Sequence, residues 1–403
     1  MGKNFLYGQS GGPTSVINAS FYGTIKKAYE IGSGKVYGMI NGIEGFLKGK
    51  EMDMQDFYKS GEYELLKNTP ASYLGTCRFK LPNDINDPVF EEIFKRFEKL
   101  DIGYVFYNGG NDSMDTTDKL SRYAAKIGSD IKVIGIPKTI DNDLILTDHT
   151  PGFGSAAKFV ASTIREVVLD TRVYDKSAVT VVEIMGRHAG WLAASAVLAR
   201  KYSEDNPSLI YVPEVVFSYE KFESDIAKKL EKSKAVVVAL SEGVAFADGR
   251  LICEDETTQV DSFGHKSLSG SGQILCDFIN KRFNIKPRQI EFSLIQRAAA
   301  KNASLTDVNE AILAGECAVE AAVKGETAKM VAFKRVSDSP YKMECTLVPA
   351  ADVCNYEKNI PLEWIDATNS DIKDEYIKYA TPLIEGEPEL KYENGLPVFA
   401  YRK

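Results

Sequence analysis

One pattern recurs along this chain and limits what it can fold into: a short apolar, β-rich run, then a glycine-rich or polar cluster, then helical periodicity. Phe5-Leu6-Tyr7 leads into Gly8-Gln9-Ser10-Gly11-Gly12, Tyr104-Val105-Phe106-Tyr107 into Asn108-Gly109-Gly110-Asn111-Asp112-Ser113, and Val133-Ile134-Gly135-Ile136 into Pro137-Lys138-Thr139-Ile140-Asp141-Asn142-Asp143. Residues 179–184 lead into Met185-Gly186-Arg187, residues 209–212 into Pro213-Glu214, and residues 236–240 into Ser241-Glu242-Gly243. Between these runs, Ile17, Phe21, Ile25 and Ala28 mark one helical face, Phe90, Ile93, Phe94 and Phe97 a second, and Phe159, Ile164, Val167 and Val168 a third. Alternation of this kind specifies an α/β protein with mostly parallel sheets covered by helices. Ligands of such sheets bind outside the carboxyl ends of the strands, where loop amides and helix amino termini converge. The polar clusters are therefore expected to face one crevice.

With 403 residues, 44% of them hydrophobic, the chain is long enough for two or three domains with real cores. Lys and Arg number 49 against 57 Asp and Glu, a net −8 that argues against a general nucleic-acid binder or a surface drawn to anionic membranes. It leaves room for a local basic pocket. The six cysteines form no CxxC pair, and only His149, His188 and His265 are available to complete a metal site. A zinc site and a disulfide framework are both disfavoured, and the cysteines read as reduced, mostly buried thiols. The amino terminus lacks the apolar stretch of a signal peptide, and no run approaches the ~20 apolar residues that span a bilayer. The expected location is cytoplasmic.

Gly11-Gly12 and Gly109-Gly110 each precede a helix and would let backbone amides approach an anion, although a double glycine is also a common turn. The second pair is followed by Asp112, Ser113 and Asp115, carboxylates suited to a divalent cation that bridges to phosphate. The 137–143 segment is the richest, with a cation (Lys138), a hydroxyl (Thr139) and two carboxylates (Asp141, Asp143) at one strand end. Its plain alternative is a capped turn. Arg187 offers a planar fork for phosphate oxygens, or an exposed ion pair, and His188 reads as a helix-start or packing residue. Gly152-Phe153-Gly154-Ser155-Ala156-Ala157 matches the dinucleotide fingerprint, but no buried strand precedes it, so a nicotinamide cofactor is not expected. Thr306-Asp307 reads as a helix start, and residues 330–348 as a hairpin around Ser337-Asp338-Ser339-Pro340. After about residue 355 the signal weakens, and no chemistry is assigned to the tail.

Taken together, these clusters with Leu74-Gly75-Thr76-Cys77-Arg78-Phe79 and Ile295-Gln296-Arg297 resemble the phosphofructokinase family over residues 5 to about 300. The resemblance implies two Rossmann-like three-layer lobes with mostly parallel sheets and an active site in the cleft between them. Residues 1–150 with about 300–330 would form the larger, phosphoryl-donor lobe, 151–299 the sugar-phosphate lobe, and 331–403 a hairpin and extension. The implied reaction phosphorylates the 1-hydroxyl of fructose 6-phosphate with Mg2+ as cofactor.

By motif match, Asp141 is the base, Thr139, Lys138 and Arg187 attend the phosphoryl group in flight, and Asp143 supports the metal or orients the base. Met185, Gly186, Glu242, Arg297 and Arg288 would join Thr139, Asp141 and Arg187 in holding the sugar phosphate, with Arg288 contributed across the interface of a homodimer or homotetramer. Gly11, Gly12, Arg78, Asp112, Ser113 and Lys138 would hold the donor, and Asn111 and Asp112 the metal. ATP-dependent members resemble Gly-Gly-Asp-Gly-Ser and Pro-Gly-Thr-Ile-Asp-Asn-Asp, whereas Asp112 and Lys138 stand here in place of the two glycines. A carboxylate there repels a nucleotide's α-phosphate and an ammonium suits pyrophosphate, so pyrophosphate is the expected donor. The weighed alternatives are an ATP-dependent enzyme and a non-catalytic sugar-phosphate-binding subunit. Ala178 and Leu294 depart from the family pattern near the sugar phosphate and leave a relative such as sedoheptulose 7-phosphate open.

Overall fold

In the computed structural model, residues 2–402 are described apart from 33, 174, 203–204 and 255–269; His265 lies outside the described residues. Eleven strands build two sheets: β1 (Asn4–Gln9), β2 (Val36–Met39), β3 (Glu51–Asp53), β4 (Ile102–Gly109), β5 (Lys132–Pro137), β6 (Ala178–Ile184), β7 (Leu209–Tyr211), β8 (Ala235–Ser241), β9 (Arg288–Glu291), β10 (Lys329–Asp338) and β11 (Tyr341–Pro349). The first sheet has the order β11-β10-β5-β4-β1-β2-β3 and the second β7-β8-β6-β9. Pairing is parallel except at the two rims of the first sheet, where β3 and β11 run antiparallel to their neighbours. The 330–348 hairpin thus joins the first sheet, through a parallel pairing of β10 with β5.

The period of two along each strand divides the apolar residues between the faces. Phe5, Tyr7, Phe106, Ile134 and Ile136 pack with the Ile17–Ile31 and Leu305–Val323 helices on one face of the first sheet. Leu6, Val105, Tyr107 and Val133 turn to the other, against the Pro88–Lys99 and Asn111–Lys126 helices. In the second sheet Val182, Ile184, Val237 and Ala239 face the Phe153–Thr171 helix, while Val181, Val236, Val238 and Leu240 face the Tyr219–Lys232 and Ser271–Phe283 helices. Both sheets are therefore covered on two sides, which is why their strands read as nearly continuous apolar runs. No helix among the described residues is long and apolar enough to cross a membrane.

The helix expected at Thr306-Asp307 begins one residue earlier, with Ser304 as the cap whose hydroxyl accepts the Asp307 amide. Asp307 itself turns away and accepts the amides of Gly152 and Ser155, both at 2.9 Å, closing the amino terminus of the Phe153–Thr171 helix. That carboxylate occupies the place a dinucleotide pyrophosphate would need. The glycine pattern there serves close packing: a Cβ on Gly154 would meet the Leu383 carbonyl at 2.4 Å, and Gly152 holds φ at +110°.

Residues after Pro349 join the two sheets. Ile360, Ile365, Ile372, Tyr376, Ala380 and Leu383 are buried in the core of the second sheet. The chain then returns to the first sheet's side, where the Ala400 amide donates to Thr69 Oγ1 at 2.8 Å. A buried polar network secures the hairpin to this assembly. His149, 1% exposed, lies between Asp148 (2.8 Å) and Glu310 (2.6 Å), while Asp148 also pairs with Arg335 and Glu310 accepts from the Tyr341 hydroxyl. Burial opposes a charge on this imidazole, but the two carboxylates outweigh it and push its pKa up from 6.5 to about 9.

The folded-state pKa is raised, so the stability it confers is fully present below pH 6.5 and lost as pH rises through about 9. Denaturant midpoints measured across that range should fall with pH in the native chain. In His149→Gln the decline should flatten, and stability at pH 6.5 should drop by about 3–5 kcal/mol because the buried Glu310 and the partly buried Asp148 lose the cation between them.

Candidate active site

Four strand ends converge on one cluster of charges. After β5, the Lys138 amide donates to the Gly109 carbonyl at 3.0 Å, tying this turn to the end of β4. Its side chain, 4% exposed, reaches across to the loop after β1, where the ammonium donates to the Gly12 carbonyl at 2.6 Å. Gly11 holds φ at +77°, and a Cβ there would stand 3.3 Å from that ammonium. A Cβ on Gly12 would stand 3.2 Å from Arg297 Nη1. Gly11 is favoured by its left-handed backbone, and at both glycines the missing Cβ leaves room for a cation close to backbone. The Thr76 hydroxyl fixes the loop from its far side, donating to the Gly11 carbonyl at 2.7 Å.

Burial lowers the Lys138 pKa to about 8 despite the opposing pull of Asp141 and Asp143. Burial likewise pushes the Asp141 carboxyl up, against the cations Lys138 and Arg187 and the Thr139 hydroxyl that hold it down. Asp143 is pushed to about 7 by burial and by its carboxylate neighbours Asp141 and Glu357. The turn carrying them is braced on every side. The Asp141 amide donates to Thr139 Oγ1 at 3.1 Å, the Thr150 hydroxyl to the Thr139 carbonyl at 2.9 Å, and the Thr150 amide to Asn142 Oδ1 at 3.1 Å. Asn142 sits at φ +55° and donates from Nδ2 to the Tyr379 hydroxyl at 2.9 Å.

From the second sheet, Gly186 (φ +144°) opens the loop after β6 and donates its amide to Glu242 at 3.3 Å, while the Ser241 hydroxyl donates to the Gly186 carbonyl at 2.7 Å. A Cβ on Gly243 would lie 1.9 Å from the Arg187 carbonyl, so the loops after β6 and β8 are packed backbone to backbone. Arg187 is felt electrostatically by both Asp141 and Glu242. Burial, opposed by the Gly186 amide, pushes Glu242 to about 7. The Met185 amide donates to Gln296 Oε1 at 3.2 Å, so the buried Gln296 positions both Met185 and its own neighbour Arg297. Burial and the nearby charge of Arg78 lower the Arg297 pKa.

Gly11, Gly12, Arg78, Lys138, Thr139, Asp141, Met185, Gly186, Arg187, Glu242 and Arg297 are thus linked through contacts or direct electrostatic coupling. The other expected residues stand differently. Asp112 is half exposed and pairs with Lys80 at 3.0 Å. Ser113 is buried with Oγ pressed on Gly109, where a Cβ would come within 1.9 Å. Asp115 pairs with the buried Lys119 at 2.7 Å. Arg288 pairs with Asp170 at 2.5 Å, and its register partner is Thr180, in the amino-terminal half of β6 and away from the strand ends. Asn111 donates from Nδ2 to the Tyr356 carbonyl at 2.5 Å and accepts the Asn355 amide on Oδ1. His188 is neither a helix start nor a packing residue; it is exposed and pairs with Glu357 at 2.9 Å.

Residues 355–358, to which the sequence assigned no chemistry, lie against this cluster. The Lys358 amide donates to the Asp143 carbonyl at 2.7 Å, and Glu357 acts electrostatically on Asp141 and Asp143. A sequence signal exists: Asn355-Tyr356-Glu357-Lys358-Asn359 is a polar cluster between buried Val353 and Ile360, like those at the strand ends but with no strand before it.

Comparison with known proteins agrees with this frame. The phosphofructokinase family model matches residues 4–322. The chain is 41% identical to a pyrophosphate–fructose 6-phosphate 1-phosphotransferase of Methylococcus capsulatus, over 98% of this chain and 94% of that protein. It is 40% identical to the protein of the same name from Halomonas elongata, over 98% and 95%. Among solved structures, a pyrophosphate-dependent phosphofructokinase from Nitrosospira multiformis superposes with a TM-score of 0.89 at 36% identity, covering 99% of this chain and 96% of that one. A convergent set of strand-end motifs, a two-lobe α/β frame and near full-length similarity have one reading in common: the chain belongs to the phosphofructokinase family.

Proposed function

We propose that this chain is a pyrophosphate-dependent 6-phosphofructokinase, moving a phosphoryl group reversibly between pyrophosphate and the 1-hydroxyl of fructose 6-phosphate. The observation that carries the donor assignment is the Lys138 ammonium, buried beside the Gly11–Gly12 loop and within 2.6 Å of the Gly12 carbonyl. It occupies space that the glycine of ATP-dependent members leaves open. Pyrophosphate is compact and charge-dense, and a fixed buried cation favours it over a nucleotide.

Phosphoryl transfer asks the protein for positioning and charge stabilisation. In this reading Asp141 accepts the proton of the sugar's 1-hydroxyl as that oxygen bonds to phosphorus, and the bridging oxygen of pyrophosphate departs with phosphate. Thr139, Lys138 and Arg187 receive the charge that develops on the phosphoryl oxygens. Met185, Gly186, Glu242 and Arg297 hold the sugar phosphate, with Arg297 also close enough to Gly12 to touch the donor. Arg288, at the amino-terminal start of β9 and away from the carboxyl ends of the strands, is read as serving the 6-phosphate site of a neighbouring copy in a homo-oligomer.

Mg2+ is the implied cofactor, and it would neutralise charge on pyrophosphate. Among the described residues no three His, Cys, Asp or Glu side chains are grouped to cage a metal. Magnesium bound through one or two carboxylates and substrate phosphates needs no cage. Asp112, half exposed in the first turn of the Asn111–Lys126 helix and paired with Lys80, would take that role. Asn111, with both amide atoms engaged, would not. Six free thiols accord with a cytoplasmic setting.

Purified protein with Mg2+ and fructose 6-phosphate, supplied in turn with pyrophosphate and ATP, tests the reading; faster turnover with ATP overturns it. Asp141→Ala should lower kcat by about 10²–10⁴-fold, the usual contribution of a general base, with KM values changing far less. Asp112→Gly combined with Lys138→Gly should weaken pyrophosphate use selectively, measured as the ratio of kcat/KM for the two donors. Because Lys138 titrates near 8, kcat/KM for pyrophosphate should fall as pH rises through that value, and Lys138→Arg should move this limb upward.

A further inference from the structure

The segment 354–358 crosses from one lobe to the other directly over the charged cluster. Upstream, Val353 and Cys354 are buried with Met114 and Leu144, so they rest on the Asn111–Lys126 helix and on the residue after Asp143. Downstream, Ile360 enters the core of the second sheet and its amide donates to Glu214 at 3.1 Å. Between these anchors, Asn355 adopts φ +69°, a conformation asparagine tolerates. The turn presents one N–H and one C=O, those of Asn355 and Tyr356, to the single amide of Asn111. Lys358 then makes three bonds to the catalytic turn: its amide to the Asp143 carbonyl at 2.7 Å, and its ammonium to the Thr147 and Asp148 carbonyls at 3.1 and 2.8 Å. Its own carbonyl accepts the Trp191 indole N–H at 2.8 Å, and Glu357 pairs with His188, next to Arg187.

We propose that residues 355–358 are a positioning element of the active site, a strap that Asn111 clasps and that holds the Asp141–Asp143 turn in register with the loop carrying Arg187. Asn111 suits this task because an amide both donates and accepts. An aspartate at 111 would keep the bond from the Asn355 N–H but set a carboxylate oxygen against the Tyr356 carbonyl. Asn111 is thereby a positioning residue acting through the strap. The strap's catalytic consequence rests on the reaction proposed above, whereas its clasp is a property of the fold.

The test uses the full chain with Asn111→Asp, and Lys358→Met as a second variant should the first fail to fold. Hydrogen–deuterium exchange reads the strap and steady-state kinetics reads its effect. For Asn111→Asp, exchange across 354–358 should rise at least tenfold. For both variants kcat should fall about tenfold or more, while KM for donor and sugar phosphate stays within about twofold, since misplacement by an ångström can cost far more in rate than in binding. Unchanged exchange in Asn111→Asp, an intact kcat with a loosened strap, or a loss confined to KM would each overturn the proposal. So would higher activity with unchanged exchange in Asn111→Asp, which would make residue 111 a metal ligand. If the native chain uses ATP and not pyrophosphate, the donor reading fails, while exchange, and kinetics with ATP, still decide the strap.

Discussion

A buried ammonium and two partly buried carboxylates at the end of one strand set the terms for everything around them. Lys138, Asp141 and Asp143 each lose hydration, and each pKa moves toward the neutral form as a result. The attraction of Lys138 for the carboxylates offsets part of that cost, and the repulsion between Asp141 and Asp143 adds to it, so the balance depends on the geometry being held. The surrounding structure is organised to hold it. Thr139, Thr150, Asn142 and Tyr379 fix the turn through side chains, Asp307 closes the adjoining helix, and Gly11 and Gly12 let cations reach the loop after β1.

The same requirement explains why residues after Pro349 run as they do. A cleft between two sheets whose faces are already covered has little apolar surface of its own with which to fix the lobes relative to each other. The extension supplies it by burying Val353 against the first sheet's side and Ile360 and Tyr376 in the second core, then returning to Thr69. Tyr379 is central: its hydroxyl accepts from Asn142 and donates to the Asp148 carbonyl, its ring lies 4.7 Å from the Arg335 guanidinium, and its carbonyl accepts from the same arginine. The 139–143 turn, hairpin and extension thereby form one polar-aromatic joint.

Sequence made legible what is local. Six strands and their polar ends follow from apolar runs bounded by glycine and charge, and the amphipathic helices between them follow from their period, because both sheets are buried on two faces. The Lys138-to-Asp143 cluster was legible for the same reason: its members are neighbours in sequence. Short β2, β3 and β9 were not, being three or four residues long, β3 and β9 with little apolar content besides. Nor were the long-range partners. Nothing in the order of residues says that Asn111 will meet Asn355 and Tyr356, or that Asp307 will cap a helix beginning at Phe153, since such pairings are decided by how the lobes pack. The fingerprint at Gly152 misleads for a related reason: glycine permits close approach without specifying whether a phosphate or a carbonyl will approach.

A net charge of −8 first seems at odds with a phosphate-rich substrate, and the site shows why the two are compatible. Arg78, Lys138, Arg187 and Arg297 lie among the carboxylates Asp141, Asp143, Glu242 and Glu357, so the cations of the cleft are offset by carboxylates and the cleft is not strongly basic. Such balance lets four cations be gathered in low dielectric without prohibitive mutual repulsion. It also means that a pyrophosphate entering the cleft brings more negative charge than the protein's own cations have in surplus. Asp143 and Glu242, both pushed to about 7, can take up protons near neutrality and relieve part of that excess. In the proposed reaction the rest would fall to a divalent cation bound mainly through the donor's phosphates, which asks for few protein carboxylates.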